Sequence, residues 1–144
     1  MVPTVELERP CLLCRATTGV RDSGGIRCGV CGWRVGDTID AGIPLPRIDI
    51  VYYLRFDQRI KIGTTASPRQ RLAAIKHDEL LAFEPGDRHT EHSRHEQFAH
   101  LRLGGEWFDA APELVAHTSA IRGTTEPWHA YARWFAEAVA RVMP

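Results

Sequence analysis

All four cysteines of this 144-residue chain fall in two pairs, Cys11-Leu12-Leu13-Cys14 and Cys28-Gly29-Val30-Cys31. A two-residue gap lets one tight turn aim both sulfurs at a single ion. Two such turns supply the four thiolates of a tetrahedral zinc site. Gly29 and Gly32 suit the close backbone turns that such a knuckle needs. With sulfur at all four positions the Zn²⁺ has no open coordination, so its expected role is folding and not catalysis. Two disulfides are the alternative chemistry, disfavoured because the N-terminus reads without a secretory signal and cytosolic thiols stay reduced. A redox pair is disfavoured because no βαβ pattern follows either pair.

A second set of reactive groups lies between residues 50 and 95. Tyr52, Lys61 and Arg71 stand on one short stretch, and Glu91 and His95 stand one helical turn apart further on. Residues 55–76 carry six basic side chains (Arg55, Arg59, Lys61, Arg69, Arg71, Lys76) against one acid, Asp57, a net charge of +5, while the whole chain is formally neutral. A local basic face on a neutral body suits contact with a few phosphates rather than a generic nucleic-acid coat. Taken singly, each residue has a plain reading: Tyr52 a half-buried strand tyrosine, Lys61 a solvent-facing strand lysine, Glu91 and His95 an exposed helix pair.

The elements that must position these groups follow from periodicity and punctuation. Two apolar-rich runs, 48–56 and 59–64, are separated only by Asp57-Gln58, which is hairpin spacing. Strand alternation makes Tyr52 and Tyr53 point apart. Ser67-Pro68 reads as an N-cap followed by proline at the first helical position. The spacing predicts a strand over 79–84, a helix over 89–103 ended by Gly104-Gly105, and a short return over 106–109 that packs Trp107 into the core. Helices are expected over 112–121 and 127–142, the last with Trp128, Tyr131, Phe135, Ala138 and Val142 as its core stripe. The expected fold class is α/β (α+β): a small, mainly antiparallel three-stranded sheet flanked by helices, with an N-terminal zinc-ribbon knuckle. The expected division is 1–46 for ribbon and linker, the linker being the glycine- and proline-bearing 36–47, and 47–144 for the second domain with its C-terminal helices. No run approaches a membrane span, and a cytoplasmic protein is expected.

The second block resembles the GIY-YIG nuclease superfamily. Ile50-Val51-Tyr52 stands where that family has Gly-Ile-Tyr, Lys61-Ile62-Gly63 where it has Tyr-Ile-Gly, and Arg71 at the offset of its helix arginine. Glu91-x-x-x-His95-x-x-Phe98, with Arg102 and Gly105-Glu106-Trp107-Phe108, resembles the glutamate helix and Gly-Glu-Trp-Phe ending of the small phage-type branch. Two positions depart from the pattern, Ile50 for the glycine and Lys61 for the second tyrosine. The resemblance implies a DNA endonuclease that hydrolyses phosphodiester bonds with Mg²⁺ or Mn²⁺. It gives Glu91 to the metal, Arg71 to a non-bridging phosphate oxygen, and Tyr52 to the attacking water. Lys61 would lower the Tyr52 pKa or touch the phosphate, and His95 would assist proton transfer or hold the carboxylate. Gly63 would allow close backbone approach. Glu106 is read as part of the packing motif and is not assigned to the metal. The alternative is a DNA-binding module with a zinc ribbon that does not cut.

Overall fold

The computed structural model describes residues 3–37 and 45–142. The elements begin with β1 (Thr4–Glu6), β2 (Thr18–Asp22), β3 (Gly25–Cys28), β4 (Ile50–Phe56) and β5 (Arg59–Thr65). They continue with α1 (Pro68–Ala73), β6 (Glu79–Pro85), α2 (Arg88–Gln97), β7 (Arg102–Gly104), β8 (Trp107–Asp109), α3 (Pro112–Arg122) and α4 (Pro127–Val142). Contacts divide the chain into residues 1–46 with 128–144, and residues 47–127.

The first unit is built on an antiparallel sheet in the order β1-β2-β3. The β2–β3 hairpin carries Cys28 at its end, and the second knuckle follows at once. The expected linker lies outside the described residues over 38–44. The last helix departs from expectation, for α4 groups with this unit and not with residues 47–127. One tie is visible: the Arg133 Nε donates to the Val30 carbonyl at 3.1 Å. The buried positions of α4 include Ala132 and Val139, at 5% and 1% exposure, so its inner stripe is rotated from the aromatic one expected. Trp128, Tyr131 and Phe135 instead form a partly exposed ladder with ring centroids 6.2 and 6.3 Å apart.

The second unit holds an antiparallel sheet in the order β6-β4-β5-β8-β7. Three of these strands are the expected ones, and two short strands extend the sheet beyond β5. The region read as one long helix instead ends at Gln97, passes through a 3-10 turn at Ala99–Leu101, and becomes β7. Phe98 is the reason: it is 3% exposed and closes the helix by entering the core. The hairpin turn forms at Asp57, which takes a positive φ of 55° and donates its N–H to the Asp78 carboxylate at 2.8 Å. Ser67 does sit before Pro68, yet its side chain makes no cap bond, whereas Asp87 caps α2 by accepting from His89 N–H.

Alternation along the strands sets two faces. Val51, Tyr53, Ile60, Ile62, Ala82 and Phe108 meet Phe98 and Leu114 in the core. Tyr52, Leu54 and Phe56 pair with Gly63, Lys61 and Arg59, and Lys61 pairs in turn with Trp107. Residues paired across antiparallel strands share a face. The Gly-Glu-Trp-Phe return therefore sends Phe108, and not the expected Trp107, into the core.

Candidate functional site

The four thiols converge as their spacing requires. Their sulfur atoms all lie within 4.8 Å of one another. Cys11 Sγ is 3.6 Å from Cys31 Sγ, and Cys14 Sγ is 3.5 Å from Cys28 Sγ. Those separations exclude disulfides and approach the roughly 3.8 Å edge of a tetrahedron with Zn–S near 2.3 Å. Backbone turns fix the sulfurs: Gly32 N–H donates to Cys28 C=O at 3.0 Å, Arg15 N–H to Cys11 C=O at 2.9 Å, and Val30 N–H to Cys28 Sγ at 3.4 Å. Burial, together with the neighbouring thiol of Cys28, pushes Cys14 up to about 11. Burial raises Cys31 as well, whereas at Cys28 the Cys31 and Val30 N–H donors and the neighbouring thiols outweigh burial and lower it. With their sulfurs this close, the four cysteines are positioned to hold a metal ion.

The second set gathers from β4, α1, β5 and α2. The Arg71 Nε donates to the Tyr52 hydroxyl at 3.5 Å. Tyr52 is fully buried, and its ring lies across the backbone of its partner Gly63. A Cβ at Gly63 would stand 2.3 Å from the Tyr52 hydroxyl oxygen and 2.4 Å from Cζ. Gly63 is thus needed for the tyrosine beside it, which sharpens the expected close approach into a named contact. On β5, β8 pairs only with residues 59–61. Beyond that point α2 satisfies the strand edge: His95 Nε2–H donates to Ile62 C=O at 2.8 Å, and the Thr64 N–H reaches the Glu91 carboxylate. One helical turn separates Glu91 from His95, and two residues separate Thr64 from Ile62. The match of turn to strand repeat holds Glu91 against the β5 edge beyond the end of β8.

His95 is thus bound to the backbone of Ile62 rather than to the Glu91 carboxylate. Its ring also lies 5.1 Å from that of Phe108. Lys61 departs further from expectation. Its ammonium meets Glu106 Oε2 at 3.4 Å, with 16% of the side chain exposed, and lies 5.4 Å from the Trp107 ring centroid. It faces carboxylates rather than the Tyr52 phenol. Burial raises the Tyr52 pKa first, the Arg71 bond opposes, and the Glu106 and Glu91 charges push further up. The phenol therefore stays protonated at neutral pH. Burial and then the Glu106 charge raise Glu91 above the usual 4.5, against the pull of His95, Thr64 N–H and Lys61.

Glu106, read from the chain as part of a packing motif, joins the same cluster of charges. Its charge acts on Tyr52, Arg71 and Glu91, and its own carbonyl accepts from Ile62 N–H at 3.0 Å. Only the β5–β8 register shows this, because the strand pairing and not the sequence interval brings position 106 beside position 61. The signal available was chemical: an acid in a turn flanked by glycine and tryptophan.

A second network lies on the opposite, core face. Tyr53 O–H donates to Glu84 Oε1 at 2.8 Å, and His117 Nε2 lies 3.1 Å from the same hydroxyl. The Arg94 guanidinium binds both Glu84 oxygens, its Nε at 3.0 Å. Burial pushes Glu84 up, but Arg94 and Tyr53 outweigh it and hold the carboxyl below its ordinary value. Burial and the Arg94 charge lower His117, which fits a neutral ring donating Nε2–H to the tyrosine oxygen. Among the described residues no helix is long and apolar enough to cross a membrane.

Residues 49–122, just over half of the chain, match the family model of the T5orf172 domain. No curated protein and no solved structure matches the chain.

Proposed function

We propose, starting from a chain that belongs to the T5orf172 domain family, that it is a divalent-metal-dependent DNA endonuclease of the GIY-YIG type stapled by structural zinc. One observation carries the reading. Tyr52, Arg71, Glu91 and Glu106 come from four separate segments, and their charges and hydrogen bonds act on one another.

Two mutually repelling carboxylates with a phenol beside them form a donor set suited to a hard cation that keeps most of its water. Glu91 would hold Mg²⁺ or Mn²⁺, and relief of its repulsion with Glu106 favours the ionised, metal-binding form. When bound, such an ion supplies Lewis acidity toward the phosphoryl oxygens. Arg71, exposed at its tip, offers a planar fork to a non-bridging oxygen. The protonated Tyr52 hydroxyl, anchored by Arg71, orients a water or donates to the developing charge. Lys61 tethers Glu106 so that its carboxylate stays near Glu91.

Incubating plasmid with the full chain and Mg²⁺ or Mn²⁺ should give nicked or linear product. Glu91→Gln should lower the rate by at least roughly a hundredfold while the thermal midpoint stays near that of the parent. Full activity in Glu91→Gln sinks the assignment. A second reading, a DNA-binding module that does not cut, draws support from the fully buried Tyr52 and from Lys61 standing in an ion pair with Glu106. Binding without nicking under both metals selects it. Free thiols kept as metal ligands favour a reducing compartment, and the cytoplasm is the one this proposal assigns.

A further inference from the structure

We propose that the hairpin end of the Tyr52 face is a phosphate-gripping track for a nucleic-acid strand, made by Arg59 and Lys76 held over the rings of Phe56 and Trp107. This rests on the reading of the chain as one that acts on DNA, and extends it to the surface leading away from the cleft.

The geometry is specific. The Arg59 guanidinium carbon lies 4.5 Å from the Trp107 ring centroid and 5.3 Å from that of Phe56. Lys76 Nζ lies 5.4 Å from the Phe56 centroid, and Lys61 Nζ 5.4 Å from that of Trp107. Each ring thus carries two cations. Arg59 and Lys76 are exposed, and among the described residues neither forms an ion pair. Lys61 and Arg94, in contrast, are committed to Glu106 and Glu84. A ring holds a guanidinium by its face and leaves the N–H donors at its edge unused. The side chain is ordered in advance, and less conformational entropy remains to be lost when an anion arrives.

Rings already covered by cations are poor platforms for bases, so the surface is built for the backbone and carries no sequence information. Its direction is set by register. Gly63, Lys61 and Arg59 share the Tyr52 face of β5, and each two-residue step advances about 6.6 Å. Arg59, the cation of this row outside an ion pair, therefore stands two steps, about 13 Å, from Gly63 and the Tyr52 hydroxyl beside it. An acidic protein surface is the other partner such cations would take. The nucleic-acid strand is favoured because the row begins beside Arg71 and Tyr52, where a scissile phosphate would sit.

Fluorescence anisotropy of the full chain, without added divalent ion, tests the track on two unrelated labelled duplexes of about 20 base pairs and a single strand of the same length, between about 50 and 200 mM salt. Losing two phosphate contacts lowers the salt slope by roughly 2, since each contributes about 0.9. For Arg59→Ala with Lys76→Ala, the affinity lost over that fourfold rise in salt should therefore be roughly tenfold smaller than for the parent, equally on both sequences. Arg59→Lys with Lys76→Arg should keep the parental slope. If the alanine pair misfolds by circular dichroism, the Gln pair takes its place. An unchanged slope in a folded variant overturns the track. So does a parent that ignores every nucleic acid, or that binds only polyglutamate through Arg59 and Lys76. A nicking assay keeps the two readings apart. Cleavage with an unchanged slope sinks the track alone, and slope loss in a parent that never cleaves sinks the nuclease alone.

Discussion

Glu91 and Glu106 set the pH response of the candidate site. In the proposed reaction Glu91 would bind the cation in its ionised form, and burial with the Glu106 charge raises its pKa above 4.5. Cleavage should accordingly fail on acidification at a higher pH than an ordinary glutamate would give. Glu106→Gln removes the repelling charge, so the acidic limb of the rate profile should move to lower pH. A limb that does not move in Glu106→Gln would separate the two carboxylates. Gly63 makes a stability claim of its own. Its Cβ would overlap the buried Tyr52 ring, so Gly63→Ala should cost about 1–3 kcal/mol in urea unfolding. The cost should shrink by at least about 0.5 kcal/mol in a Tyr52→Ala background, because the clash is shared between them. Tyr52, Arg71 and Glu91 could be named from the chain because each sits in a short motif at a fixed offset. Glu106 could not, since its place depends on how β8 pairs with β5.

Elements hold these residues through a network that no motif announces. Tyr53 on β4, Glu84 on β6, Arg94 on α2 and His117 on α3 tie two strands to two helices in the core. Removing the shared hydroxyl with Tyr53→Phe leaves Glu84 short of a donor and His117 short of an acceptor, a loss of about 1–3 kcal/mol. The sign of its pH dependence follows from two depressed pKa values. Native His117 takes up its proton below the 6.5 of the unfolded chain, and native Glu84 below 4.5. In both windows the unfolded state binds more protons, so stability falls as pH falls, first below about 6.5 and again below about 4.5. Urea midpoints from pH 7 to 4 should show the decline, and Tyr53→Phe with Glu84→Gln should flatten the lower part. The hairpin and helix starts were legible because they rest on local turn chemistry. The end of α2 was not, because burial of Phe98 decides it, and helical periodicity continues past that residue on paper.

At the scale of the whole chain, two different means of stabilisation operate. The sheet of residues 50–109 has a conventional core of Val51, Tyr53, Ile60, Ile62 and Phe108, all fully buried. Among the described residues 3–37 the buried side chains are those of Cys11 and Cys28, both metal-ligand candidates. Its three short strands bury little apolar surface, and an ion held by the four sulfurs would cross-link them and offset part of the ordering of their backbone. The knuckles were legible from spacing alone, whereas the grouping of α4 with them joins residues a hundred positions apart and leaves no local trace. Removing metal with a strong chelator should therefore abolish amide protection in β2 and β3 and shift the emission of Trp33. Protection in β4 and β5, whose core contains no cysteine, should persist. Cys28→Ser should reproduce the ribbon's loss without chelator, and added Zn²⁺ should restore protection only to the parent. Retained β2–β3 protection in the metal-free chain would show that the four sulfurs are packing groups and not ligands.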